Sequence, residues 1–134
     1  SQRMLVKKLP YCRLSFFKNF VIVEPHENVV MDSAKVKSAL SVMIRHFGGN
    51  EFSIISYRRN KYTVADDAYN PFTARLFKRV KGFAVVSDCA SVREKAIEEQ
   101  EKFNGSFAFF ERLEEAQNWA INMVSMPNET SSFL

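Results

Sequence analysis

The chain has only four glycines, four prolines, two cysteines and one tryptophan among its 134 residues. Four glycines, two of them adjacent at Gly48-Gly49, leave no material for a glycine-rich phosphate loop, and neither a G-x-S-x-G elbow nor an H-E-x-x-H pair occurs. Nucleotide chemistry and the common hydrolase signatures are therefore set aside. Cys12, Cys89, His26 and His46 stand singly, without the paired spacings of structural zinc sites, so no metal and no cofactor are expected. A chain of this length needs no disulfide, and both cysteines are read as reduced thiols of a cytoplasmic protein. No apolar run approaches the roughly 20 residues that span a bilayer. Residues 1–10 are expected to form an extension outside the fold, residues 11–124 a single domain, and residues 125–134 a polar tail.

Hydrophobic residues make up 46% of the chain, enough for one core, and 13 of them are phenylalanine, which has no polar atom to satisfy when buried. The net charge of +4 is unevenly spread. Between Phe52 and Ser87 seven basic residues face two acidic ones, whereas between Val92 and Val124 seven acidic residues outnumber four basic ones. The molecule is expected to be electrically two-sided.

Tyr11–Phe17 and Phe20–Val23 are short β-branched and aromatic runs about Lys18-Asn19, which predicts a hairpin, with Pro25 ending its second strand near Glu24. Asp32-Ser33 offers a cap. Val36, Leu40, Met43, Ile44 and Phe47 then mark one helical face, which Gly48-Gly49 stops. Phe52–Tyr57 reads as a buried parallel strand. Asn70-Pro71 opens a predicted short helix with Phe72, Leu76 and Val80 inward. Phe83–Val86 is the next strand. Ser87-Asp88 starts a helix with Val92, Ala96, Ile97 and Phe103 inward and the charge run Glu94–Lys102 facing water, and Phe107–Phe110 is a last strand. Leu113, Ala116, Ala120 and Met123 mark a final helix. The order is ββαβαβαβα, a mixed sheet of about five strands, an opening hairpin followed by parallel strands, covered by four helices.

That order over Tyr11–Val124, with the stretch Tyr57-Arg58-Arg59-Asn60-Lys61-Tyr62 and the closing Phe109-Phe110-Glu111-Arg112-Leu113-Glu114-Glu115-Ala116…Trp119, resembles the STAS, or anti-sigma-factor-antagonist (SpoIIAA-like), architecture of small bacterial proteins. The resemblance implies an α/β domain that acts by binding a protein partner rather than as an enzyme. In regulatory members a serine in the loop after the third strand is phosphorylated by a partner kinase. The corresponding loop here, Thr63 to Asn70, contains no serine, a departure from that pattern. Asp66 or Asp67 would supply a fixed negative charge at a helix N-terminus, which is also where acidic residues are stabilising for their own sake.

In open α/β sheets ligands sit outside the carboxyl ends of parallel strands, which nominates Tyr57, Arg58, Arg59, Asn60, Tyr62, Asp66, Asp67, Ser87 and Asp88, joined on the neighbouring helix by Arg75 and Arg79. Arginine and tyrosine in that place suit an acidic partner segment or a small anionic ligand. The plainer reading pairs Arg58 and Arg59 with Asp66 and Asp67 in a surface network of little energetic worth. Cys89 begins a helix, where a thiol pKa can fall, but no CxxC and no neighbouring base accompany it. Nucleic-acid binding ranks last, since the basic cluster lacks a recognition motif and the acidic half repels phosphate. The expected function is thus a protein-interaction module, with a small-ligand or lipid-binding domain as the alternative.

Overall fold

Phe17 donates its backbone N–H to the Phe20 carbonyl at 2.9 Å and closes the opening hairpin of β2 (Cys12–Phe16) and β3 (Phe20–Pro25). This is the turn expected from Lys18-Asn19. The computed structural model describes residues 4–125 without the side chains of Leu76 and Ser125. The expectations for residues 1–3, for the tail from 126 on and for an inward Leu76 therefore lie outside the described residues.

The six-stranded main sheet contains one strand that the sequence reading leaves out. Leu5–Lys8 forms β1, antiparallel to β2 at the sheet edge. Its two lysines, charged residues on an otherwise open edge, discourage pairing with another chain, and the same charges hide it from a hydrophobicity pattern. β3 then runs parallel to β5 (Phe52–Tyr57), β5 to β7 (Val80–Val86), and β7 to β8 (Ser106–Phe110). A second, two-stranded sheet joins β4 (Val30–Met31) to β6 (Thr63–Val64).

Among the described residues three α-helices cover the sheet, not four: α1 (Ser33–Phe47), α2 (Ala90–Lys102) and α3 (Leu113–Ser125). The helix expected from Phe72 to Val80 is instead two 3-10 turns, Asn70–Thr73 and Arg75–Arg79, with Val80 already the first residue of β7. Ala74 is extended between the turns (ψ 141°), so no run is long enough to nucleate an α-helix. The start and stop signals of α1 are as expected. The Asp32 side chain accepts from the Lys35 N–H at 3.0 Å, and Gly48 at φ 62° caps the end.

The two faces of the sheet bury separate clusters. On one face α1 and α2 pack Leu40, Met43, Phe47, Ala96 and Phe103 against Leu14, Phe16, Val21, Phe52, Ile54 and Val85. On the other, α3 lays Ala116 and Ala120 on Phe20, Ile22, Ile55, Ala84 and Val86. Because helices lie on both faces, β5 and β7 read as continuous apolar runs. Ser53, fully buried, donates to the Ala120 carbonyl of α3 at 3.0 Å. Ser53→Ala is expected to lower unfolding stability by about 1 kcal/mol, measured by denaturant titration.

Candidate functional site

β5 and β7 both end at one rim of the sheet, where the chain leaves β5 through Arg58–Tyr62 and β7 through Ser87–Cys89. The first of these loops is tied down at several points. Arg59 Nη2 bonds Glu24 Oε1 at 2.5 Å, Asn60 Nδ2 donates to the Pro25 carbonyl at 3.2 Å, and Asn28 N–H donates to the Lys61 carbonyl at 2.7 Å. Asn28 takes the left-handed conformation at φ 67° to do so, one that asparagine tolerates. The pairing of β4 with β6 then clamps the loop's far end.

Beneath this loop lies a buried ion pair. Arg58 Nη1 and Nη2 grip Glu99 Oε2 and Oε1 at 2.7 and 2.5 Å, with side-chain exposures of 6% for Arg58 and 3% for Glu99. Tyr69 donates to the same Glu99 Oε1, Arg58 Nε donates to Ser56 Oγ at 3.1 Å, and Ser56 Oγ lies 3.1 Å from the Tyr62 hydroxyl. The guanidinium also sits 5.8 Å from the centre of the Tyr62 ring. Burial on its own would lower the Arg58 pKa, but the Glu99 carboxylate and the surrounding tyrosines outweigh it and hold it above its ordinary value. Burial raises the pKa of Tyr69, and the Glu99 charge adds to the rise. Tyr62 is also raised by burial, with Arg58 opposing. Arg58, Tyr62 and Tyr69, all shifted upward, keep their protons at neutral pH, and the cluster serves as a brace.

Arg58 thus pairs with Glu99 and Arg59 with Glu24, which corrects the expected pairing with Asp66 and Asp67. Asp67 Oδ1 instead accepts the Ser33 N–H at 3.1 Å, placing its charge at the N-terminus of α1 rather than of the second helix. Asp66 lies 4.0 Å from Lys102 on the surface. Glu99, assigned to the wet side of its helix, is 2% exposed, and Ile97, expected inward, is 60% exposed.

Two spaces meet at this brace. Outside it an open groove of about 730 Å³ is lined by Tyr57, Arg59, Lys61, Ser87, Asp88, Cys89 and Lys95. Inside it, between α1 and the sheet, is an almost wholly apolar cavity of about 60 Å³ bounded by Leu40, Met43, Ile54 and Phe83. Arg58, Tyr62 and Val64 line both. Arg75 and Arg79 are not at this rim. They precede β7, and the pairing of Phe52 with Val80 and of Tyr57 with Val86 separates them from the groove by the strand length, roughly 20 Å. Arg79 Nη1 there bonds the Gly48 carbonyl at 2.7 Å.

Cys89 is the N-cap of α2 and is exposed, while Cys12 is buried, and both are free thiols. Ser87 Oγ, two residues earlier, accepts the Cys89 N–H at 3.1 Å. The Ser91 hydroxyl, 3.1 Å from Sγ, and the N–H groups of Val92 and Ser91 lower the Cys89 pKa, whereas burial pushes Cys12 up to about 12. A lowered pKa places more thiolate at neutral pH. Iodoacetamide at pH 7 is therefore expected to alkylate Cys89 alone in the folded chain, and Ser91→Ala to move its pH-rate midpoint upward. Equal labelling of Cys12 and Cys89 by mass spectrometry would contradict this. Among the described residues no group of three or more His, Cys, Asp or Glu side chains is placed to hold a metal, and no helix is long and apolar enough to cross a membrane.

No family profile and no curated protein matches the chain. Its fold is similar to that of a solved structure, an uncharacterised protein of the DUF3478 family with a SpoIIAA-like fold from Shewanella loihica PV-4. The TM-score is 0.53 at 12% identity, over 90% of this chain and 94% of that one. The likeness is one of fold. It bears out the SpoIIAA-like resemblance at the level of the fold.

Proposed function

We propose that the chain is a non-enzymatic interaction module that receives a segment of a partner protein in the groove at the carboxyl ends of β5 and β7. The observation that carries this reading is the groove itself: about 730 Å³, open, and built on a loop held by the Arg58–Glu99 brace and by the ties to Glu24, Pro25 and Asn28. A braced rim with half-buried tyrosine and exposed charge suits binding of a pre-organised kind. Arg59, stacked over the Tyr57 ring at 4.7 Å and paired with Glu24, supports one wall, and Lys61 and Lys95 offer charge to acidic side chains of the partner. The SpoIIAA-like fold is compatible with such a role. The inner cavity, at about 60 Å³, is far below what an acyl chain needs, since a cavity of about 150 Å³ is what takes a benzene ring, and the lipid-binding alternative is therefore not adopted.

The exposed thiol provides the test. Cys89, carrying a benzophenone maleimide, is expected to cross-link the partner, and the double variant Lys61→Glu, Lys95→Glu to lose at least nine-tenths of the product. A partner captured only from a probe at Arg75→Cys, in a Cys89→Ser background, would move the interface to the opposite end of the sheet.

A further inference from the structure

The Arg58 cluster leaves one proton without an acceptor. Arg58 Nε donates to Ser56 Oγ, and the Ser56 and Tyr62 hydroxyls share a single bond between them. Two hydroxyl protons for one such bond leave one unused, and neither hydroxyl has another acceptor among the described residues. Either hydroxyl can donate that bond; where Tyr62 donates to Ser56, the unused proton is that of Ser56. Ser56 is 5% exposed and faces the inner cavity, not the groove. A buried donor in that position calls for an acceptor. The walls around it are hydrocarbon, with Val36, Leu40 and Met43 from α1 opposite Ile54 and Phe83.

We propose that this cavity is a binding pocket for a compact branched aliphatic group joined to a carbonyl or carboxylate oxygen, the aliphatic part resting on Leu40, Met43 and Ile54 and the oxygen accepting from Ser56. The space of about 60 Å³ admits a group of isopropyl size and excludes rings and acyl chains. Because Arg58, Tyr62 and Val64 line cavity and groove alike, anything larger attached to the group lies in the groove. The inference deepens the proposed function and rests on it: a valine-like side chain of the bound segment is one source of this chemistry, and a free short branched acid is the other.

Methyl-region NMR titrations with isobutyramide, isobutyrate and N-acetyl-valine N-methylamide test it. Saturable shifts are expected at the Leu40, Met43 and Ile54 methyls. Ser56→Ala should weaken binding about tenfold, Tyr62→Phe should leave it within about twofold because the Ser56 proton remains, and filling the cavity by Val36→Phe or Ala39→Leu should abolish it. Cooperative thermal unfolding of each variant, followed by circular dichroism, establishes that it is folded. A valine derivative at least tenfold tighter than isobutyrate assigns the pocket to a peptide side chain, and the reverse order assigns it to a free acid. Absence of saturable shifts with all three probes, or binding unchanged by Ser56→Ala and by both filled variants, would overturn the pocket. If the probes fail while the Cys89 cross-link persists and still depends on Lys61 and Lys95, the interaction reading stands without the pocket. Probes that bind in a chain giving no cross-link uphold the pocket and remove the groove.

Discussion

Glu99→Ala is expected to destabilise the folded chain by about 3–5 kcal/mol, read as a fall in the urea midpoint at unchanged slope. The size follows from what is left behind. Arg58 remains ionised because no accessible pH removes its proton, and with a side-chain exposure of 6% it has no water to replace the bidentate carboxylate. Tyr69 loses its acceptor at the same time, since among the described residues its hydroxyl bonds only Glu99 Oε1. Arg58→Ala is expected to cost a similar amount for the mirror reason, an unpaired buried carboxylate. A loss below about 1 kcal/mol in both variants would mean that the pair behaves as an exposed one and that the brace is not buried in solution.

The same pair is not itself a large net source of stability. Desolvating two charges offsets most of their attraction, so replacing the whole set by apolar groups, Arg58→Met with Glu99→Leu and Tyr69→Phe, should recover most of the single-variant loss. What it should not recover is the position of the loop from Arg58 to Tyr62. The cross-link from Cys89 is therefore expected to weaken in the triple variant despite restored stability, which separates the brace's role in shaping the groove from its role in folding.

Glu99 also shows what the sequence made legible and what it concealed. Val92, Ala96, Glu99 and Phe103 lie at i, i+4, i+7 and i+11, the same spacing that identified the inner face of α1, so periodicity alone pointed to Glu99 as an inward residue. Its charge and its place within the run Glu94–Lys102 assigned it to water instead, and Ile97 was drawn inward by its hydrophobicity. Arg58 was nominated as a residue of the rim, but a partner 41 positions away is not a local signal. The parallel strands were readable because helices on both faces make them uniformly apolar. β1 was not, because an edge strand with one open side carries Lys7 and Lys8 and has no such pattern. The 3-10 turns from Asn70 to Arg79 share helix-start chemistry with a true helix, and only the extended Ala74 between them tells the two apart.

The face of the sheet opposite the brace yields the second large effect. Gly82→Val is expected to destabilise the chain by about 3 kcal/mol and to shift the emission of the single tryptophan. A Cβ at Gly82 would lie 2.9 Å from Trp119 Cη2, 3.0 Å from Trp119 Cζ3 and 3.0 Å from Met123 Cγ, all on α3. The Trp119 ring is rigid and already packs against Phe110 at 5.9 Å between centroids, so it cannot yield sideways, and relief requires α3 to lift from β5 and β7. Gly82→Ala brings these three Cβ contacts without the two γ-methyls of valine and should cost less, partly offset by the chain entropy that a glycine loses on folding. Met123→Ala combined with Gly82→Ala should restore part of the loss by opening space on the Met123 side alone. Because the Arg58 cluster lies on the face of the sheet away from α3 and Cys89 at its rim, alkylation of Cys89 should keep its pH dependence in a Gly82→Ala chain that is still folded. A Gly82→Val chain as stable as the parent, with unchanged Trp119 emission, would show that α3 does not pack on β7 at this distance.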